Sequence, residues 1–262
     1  MGSHETLDVV HDGPILRVRL DRGEVRNAFN GKLVEELQLV FREADLDDAA
    51  RVVVLSGNGK SFSAGADLGW MQEQALLEPE ANERSAERMA RMFLSIARCR
   101  KPVIGRIHGH ALGGGTGLTA AVDIALCTGD CQFGLTEVKL GIAPAVISPF
   151  VMQKIGAGRA RALFLTGERF DGNEAQRLGL VHRALPSEAE LDAEVQRVVG
   201  ELLTAGPLAV ASAKDLIRAV NGLSLEEAVP VTAKWIAQLR ATPEAKEGMG
   251  AFLGKRKPNW VG

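Results

Sequence analysis

The chain has 262 residues, with 31 Lys and Arg against 33 Asp and Glu, so its formal charge of -2 offers no global field to attract a phosphate backbone, and nucleic acid is not an expected partner. Hydrophobic residues make up 46% and charged residues 24%, ordinary globular usage that excludes disorder and fibre and leaves room for one large domain or a core with a small appended lobe. No apolar run reaches the roughly 18 residues of a membrane span, and the first twelve residues are too polar for a secretory signal, so a soluble, cytoplasmic protein without a membrane partner is expected. The opening Met1, Gly2, Ser3 and His4 read as partly a cloning remnant, and no inference is built on them.

Residues 9–20 alternate around Ile15, Leu16, Val18 and Leu20 with Asp12-Gly13 as a turn signal, which predicts a two-stranded hairpin. Leu33, Val34, Leu37, Val40 and Phe41 recur at helical spacing over 31–44. The unbroken run Val52, Val53, Val54 and Leu55 suits a strand buried on both faces, and 57–69 is loop-like. A helix is predicted over 80–97, a strand from Lys101-Pro102 to Ile107, and short strands at 124–127 and 131–135. Beyond Gly141 the patterns are helical, at 160–165, 173–178, 191–203, 207–220, 225–239 and 243–253. Strands alternating with helices and then an all-helical last quarter imply an α/β core with a helical C-terminal lobe. Cys99, Cys127 and Cys131 are too few and scattered for a disulfide framework and lack the neighbours of a zinc site, so buried free thiols and no metal are expected.

The 29 glycines are the first functional clue, because glycine persists where a turn, a close approach or a ligand demands it. The densest cluster is 109–117, GHALGGGTG, after an apolar strand and before the helix-compatible 118–122. Its backbone N–H groups at a helix start favour negative charge, while the same glycines also permit close helix–strand packing. No Gly-Lys-Ser/Thr follows, which disfavours a Walker loop, and the position is wrong for a dinucleotide fingerprint. A second small-residue loop, SFSAGADL at 61–68, again follows a buried strand. Two such loops can each offer one N–H to a single carbonyl oxygen, making an oxyanion hole.

The pair SFSAGADL and GHALGGGTGL resembles the crotonase superfamily, the enoyl-CoA hydratase/isomerase family, and the likeness extends through RNAFN, FGLTEVKLGIAPAVISPF, LTGERFDGNEAQRLGLVHRALP and EGMGAFLGKRKPNW. The resemblance implies an α/β spiral of ββα units over 1–190, a helical trimerisation region over 191–262, and a homotrimer or a hexamer of two trimers. It implies an acyl-CoA thioester substrate, CoA being part of that substrate and no separate cofactor being needed. The N–H groups of Ala64 and Gly114 would hold the thioester oxygen. Arg26, Ala28, Ala66, Asp67, Leu68 and Gly117 would line the substrate, and Phe252 and Lys255 would close over the nucleotide from the C-terminal region, often a neighbour's, although Lys255, Arg256 and Lys257 also read as a solvated basic tail. Trp70 and Met71 either line the acyl pocket or anchor a mobile helix.

A hydratase of this family normally uses two carboxylates. Glu137 matches the second, whereas the first matches Gly117, which has no side chain. One glutamate suffices for a 1,3-shift of a double bond and can in principle serve both proton transfers of a hydration. The text around Glu137 resembles bacterial hydratases of branched or carboxylated enoyl-CoAs, such as methylglutaconyl-CoA, so hydration is the expected reaction. A single-glutamate isomerase and a non-catalytic acyl-CoA binder are the alternatives. His108, His110 and His182 read as structural, His108 and His110 flanking the first oxyanion-loop glycine without an acid at triad spacing, and Ser61 and Ser63 lack an evident base partner, which disfavours nucleophilic catalysis.

Overall fold

The computed structural model describes residues 4–261; the reading of Met1, Gly2 and Ser3 falls outside them. The predicted hairpin is β1 (Leu7–Asp12) and β2 (Ile15–Leu20), antiparallel in the register Val9 to Val18, and it turns through Gly13 at φ +56°. A 3₁₀ turn at Gly23–Val25 hands the chain to Arg26 and Asn27, both left-handed at φ +55° and +54°. Helix α1 (Gly31–Leu46) starts where the Asn30 side chain accepts from the Leu33 N–H at 2.9 Å, satisfying a donor the helix leaves orphaned. Then come β3 (Val52–Gly57), α2 (Leu68–Ala75), α3 (Pro79–Arg98), β4 (Val103–Ile107), β5 (His110–Leu112), α4 (Gly114–Ala121), β6 (Ile124–Thr128) and β7 (Gln132–Gly134). A 3₁₀ turn at Thr136–Leu140 precedes α5 (Ser148–Thr166), β8 (Arg169–Phe170), α6 (Gly172–Leu178) and β9 (Arg183–Leu185). Helices α7 (Glu188–Thr204), α8 (Pro207–Val220), α9 (Leu225–Arg240) and α10 (Pro243–Leu253) complete the chain.

The first sheet has the order β1-β2-β3-β4-β6-β9 and is parallel apart from its opening hairpin; the second is β5-β7-β8. Strand β3 is covered on both faces, as its β-branched run predicts. Val53 and Leu55 face α1 and α3 together with Leu16, Val18 and Ile107, while Val52 and Val54 face α7 together with Ile15, Ile104 and Leu126. From α7, Leu191, Val195, Val198 and Val199 seal that second face. The expected boundary after residue 190 therefore falls inside a helix that packs on the sheet. After α7, helices α8 and α9 have no buried residue, and α10 buries only Ala251.

Two other differences have simple causes. Helix α5 starts twelve residues before its predicted segment, because Gly156 at φ +76° kinks it and breaks the apolar period of its first half. Strands β5, β8 and β9 are two or three residues long, too short to show alternation. Among the described residues no helix is long and apolar enough to cross a membrane, and no group of three His, Cys, Asp or Glu could hold a metal ion.

Candidate active site

Three segments distant in sequence meet at the end of β5: the loop after β3, the start of α4, and the 3₁₀ turn at Thr136–Leu140. Ser63 pairs with Ala111 in a parallel bridge, the Ser63 N–H donating to His110 O and the Leu112 N–H to Ser63 O, each at 3.0 Å. The Gly113 N–H donates to Gly134 O at 2.8 Å and so brings in β7. Glycine is required at this junction. A Cβ on Gly65, whose φ is +92°, would lie 2.8 Å from Leu112 O and 3.6 Å from Gly114 N, and one on Gly113 would lie 3.2 Å from Glu137 Oε1. Gly65, Gly113, Gly114 and Glu137 thus form one cluster.

The donors in that cluster differ from the expected pair. The Ala64 N–H is already donated to Arg26 O at 2.9 Å, so Ala64 has no free donor to offer a ligand, and the expectation for it is corrected. At the next residue, Gly65 O accepts from the Phe29 N–H at 2.7 Å. A trans peptide points its N–H opposite to its C=O, so the Ala66 N–H is aimed away from Phe29, toward the Leu112–Gly114 side. No acceptor among the described residues holds the Ala66 N–H, and none holds that of Gly114, the first residue of α4. The latter is one of the orphan donors of a helix start, where the dipole adds partial positive charge. Phe29 supports both donors at once. Its N–H fixes the Gly65–Ala66 peptide, and its buried ring sits where a Gly114 Cβ would be only 2.6 Å from Cε2. The correction was not legible beforehand, because which of two alternate N–H groups in an extended loop is spent depends on its pairing partner.

Glu137 is half-buried beside these donors, and its Oε2 is shielded from solvent without a hydrogen-bond partner among the described residues. Loss of solvation pushes its carboxyl above the ordinary glutamate range, the partial compensation coming from its own backbone N–H. The cluster therefore offers two unspent donors to a developing negative charge and one carboxylate to move a proton.

At Gly117, one turn along α4, the expected gap is filled. A Cβ there would meet Ile147 Cγ2 at 2.4 Å and Phe93 Cε1 at 3.0 Å, and the Phe93 ring in turn packs against Phe150 with centroids 5.8 Å apart. Of the other expected substrate residues, Arg26 is exposed beside the cluster, and buried Ala28 gives its carbonyl to Arg22 Nη1. Asp67 is an N-cap, accepting from the Gly69 and Trp70 N–H groups at 3.0 and 3.3 Å and facing Arg22 Nη2 at 3.5 Å. Leu68 opens α2 and is 68% exposed, while Trp70 packs on the core. Phe252 lies in the last turn of α10, which packs on α8 and α9, and Lys255 follows two residues after the helix ends. Within one chain they are not part of this cluster.

The histidines have other partners. His108 Nε2 donates to Gly59 O at 2.9 Å and its Nδ1 accepts from Arg106; His182 Nδ1 accepts from the Ala125 N–H at 3.0 Å; His110 Nδ1 lies 3.4 Å from Ser61 Oγ with no carboxylate behind it. The Ser63 hydroxyl is committed to Asn27 O at 2.8 Å. The three cysteines are free and buried, and burial raises the thiols of Cys99 and Cys127 to about 12 and that of Cys131 further, so all are inert.

Residues 11–262 match the family model described as enoyl-CoA hydratase/isomerase. A putative enoyl-CoA hydratase from Thermus thermophilus is 33% identical over 251 residues, 96% of this chain and 99% of that protein. The 2,3-dehydroadipyl-CoA hydratase of Escherichia coli is 32% identical over 249 residues, 95% of each. Among solved structures, an enoyl-CoA hydratase from Shewanella pealeana superposes with a TM-score of 0.94 at 36% identity, covering 98% of this chain and 96% of the other.

Proposed function

Because the chain belongs to the enoyl-CoA hydratase/isomerase family, shown by a match spanning residues 11–262, we propose that it adds water across the double bond of a 2-enoyl-CoA thioester. The observation that carries this reading is the convergence of the unspent Ala66 and Gly114 N–H groups with Glu137. In this reading both N–H groups donate to the thioester oxygen. As water bonds to C3, the π electrons of C2=C3 move onto that oxygen as an enolate, where the paired donors and the α4 dipole act most strongly. Glu137 accepts the proton that the water loses and returns it to C2 as the enolate collapses, so one carboxylate serves both transfers and ends as it began. No separate cofactor enters.

A branched or carboxylated acyl group is part of the proposal. The E. coli relative, a 2,3-dehydroadipyl-CoA hydratase and so a hydratase of a carboxylated enoyl-CoA, supports a carboxylated one. Arg26 is offered to the CoA phosphates. Phe252, 84% exposed on α10, and Lys255 are offered to a CoA bound by a second copy, as a trimer or hexamer would place them. A cytoplasmic location is in keeping with three free thiols.

One observation favours a second reading. The apolar filling of the Gly117 position leaves Glu137, among the described residues, as the only carboxylate of the cluster, and a one-base site suits double-bond isomerisation. Incubation in D₂O with a short 2-enoyl-CoA, a 3-enoyl-CoA and methylglutaconyl-CoA separates the readings by mass and NMR. A 3-hydroxyacyl product is expected. Conversion of the 3-enoyl-CoA without any hydrated product would establish the isomerase instead, and no conversion at all would leave a binder.

A further inference from the structure

We infer that Ser63 is a positioning residue, the clamp that aims the Ala66 N–H at the thioester oxygen; this rests on the oxyanion reading proposed above. The direction of that N–H is set by the φ and ψ of Gly65, the residue joining the peptide before it to the peptide that carries the donor. Glycine holds no torsion by itself, so its setting must be imposed from outside. Two tethers impose it. The Gly65 O is held by the Phe29 N–H at 2.7 Å, which fixes the donor peptide. The Gly65 N–H is held by Ser63 Oγ at 3.3 Å, which fixes the peptide before it.

The clamp is referred to a rigid point. A hydroxyl has one proton to give, and Ser63 Oγ gives it to Asn27 O at 2.8 Å while accepting from Gly65. Asn27 is fully buried and left-handed, and every polar atom of its side chain is occupied. Its Nδ2 donates to Asn58 O and Ser61 O, both at 2.8 Å, and its Oδ1 accepts from the Arg22 N–H at 2.9 Å. Ser63 is itself fully buried, and its carbonyl would lie 2.5 Å from a Gly115 Cβ, so it is packed against α4 as well. A chain of contacts thus runs from the turn after β3 through Asn27 and Ser63 to the donor peptide. Ser63 touches neither substrate nor Glu137 in this scheme, and the hydroxyl contributes only by holding Gly65.

The test uses acetoacetyl-CoA as the probe, because its enolate has a near-UV band that the keto form lacks, and an oxyanion hole raises the bound enolate fraction. Wild-type protein is expected to show the band. Ser63→Ala is expected to bind the probe with a Kd within about threefold of wild type, yet lose the enolate band and about 10-fold or more in kcat on an enoyl-CoA, with KM little changed. Ser63→Cys, which keeps a weak donor in the same space, should fall between the two and serves if the alanine variant does not fold. An undiminished enolate band and kcat in either folded variant, with only a lower Tm, would overturn the inference and leave the oxyanion reading intact. Absence of the band in wild type with the probe bound would overturn the oxyanion reading itself, and the inference with it.

Discussion

Glu137 is a carboxylate placed where water is scarce, and its raised proton affinity gives it two measurable signatures. Because burial favours the protonated form, the folded chain holds this proton to higher pH than the unfolded chain does. Between the two values the unfolded state binds fewer protons, so the contribution to stability is present below the ordinary glutamate value and is lost as pH rises through the raised one. Glu137→Gln removes that titration, and the variant should be more stable than wild type at neutral pH, the difference vanishing on acidification in denaturant melts. Its turnover should fall roughly 10²-fold or more, since the amide is sterically similar but cannot take a proton. The acidic limb of the wild-type kcat/KM profile should lie above the ordinary glutamate range; a limb within that range would point to another group. At Gly117, a methyl group would overlap Ile147 Cγ2, and Gly117→Ala is expected to destabilise by about 1–3 kcal/mol through overpacking. Combining it with Ile147→Ala should recover part of that loss, a coupling that a double-mutant cycle reads directly.

At the level of elements, the site depends on loops that the sheets alone would not hold. The stretch containing Arg26, Asn27 and Phe29 runs beside residues 63–67 and is joined to it by the Ala64, Phe29 and Asp67 N–H groups and the Ser63 hydroxyl. A comparable tie attaches the first C-terminal helix. Lys214 of α8 is largely buried and donates to Asp123 Oδ2 at 2.6 Å, to Cys99 O at 2.6 Å and to Lys101 O at 2.9 Å. Lys214→Met keeps the stem and deletes the charge, leaving the partly buried Asp123 without its cation. A loss on the order of 2–4 kcal/mol in denaturant unfolding is expected, with the KM for substrate unchanged, because Asp123 follows the C-terminal end of α4 whereas the Gly114 donor is at its start.

For the molecule as a whole, the exposed apolar surface is concentrated in the last helices. Ile217, Leu225, Val229, Phe252 and Leu253 are 66, 84, 64, 84 and 81% exposed, and α8 and α9 bury no residue. An assembly would cover surface of that kind, and closed symmetric homo-oligomers are the usual solution. Light scattering should give a multiple of the chain mass, three or six copies, and Leu225→Asp with Val229→Asp should shift it toward the single chain. A fully active wild-type monomer at micromolar concentration would contradict both the assembly and the proposed contact of Lys255 with a neighbour's CoA.

Much of this was legible in the chain itself, because local signals carry it. The hairpin, α1, β3, α3 and α8 to α10 follow from apolar periods and turn residues that are read over a few neighbours, and α8 and α10 match their predicted bounds. The family was legible too, since its two small-residue loops and the LTEVKLG stretch with Glu137 are local text. What local text does not contain is pairing. Whether Ala64 or Ala66 keeps a free N–H depends on the Arg26–Phe29 segment, more than thirty residues away, spending one and turning the other outward. Whether the empty side chain of Gly117 means a water-filled gap depends on Ile147 and Phe93, which only folding brings together over it. The residue types for the chemistry are written along the chain, whereas the direction of a donor and the dryness of a wall belong to long-range contacts, which exist only once the tertiary structure has formed.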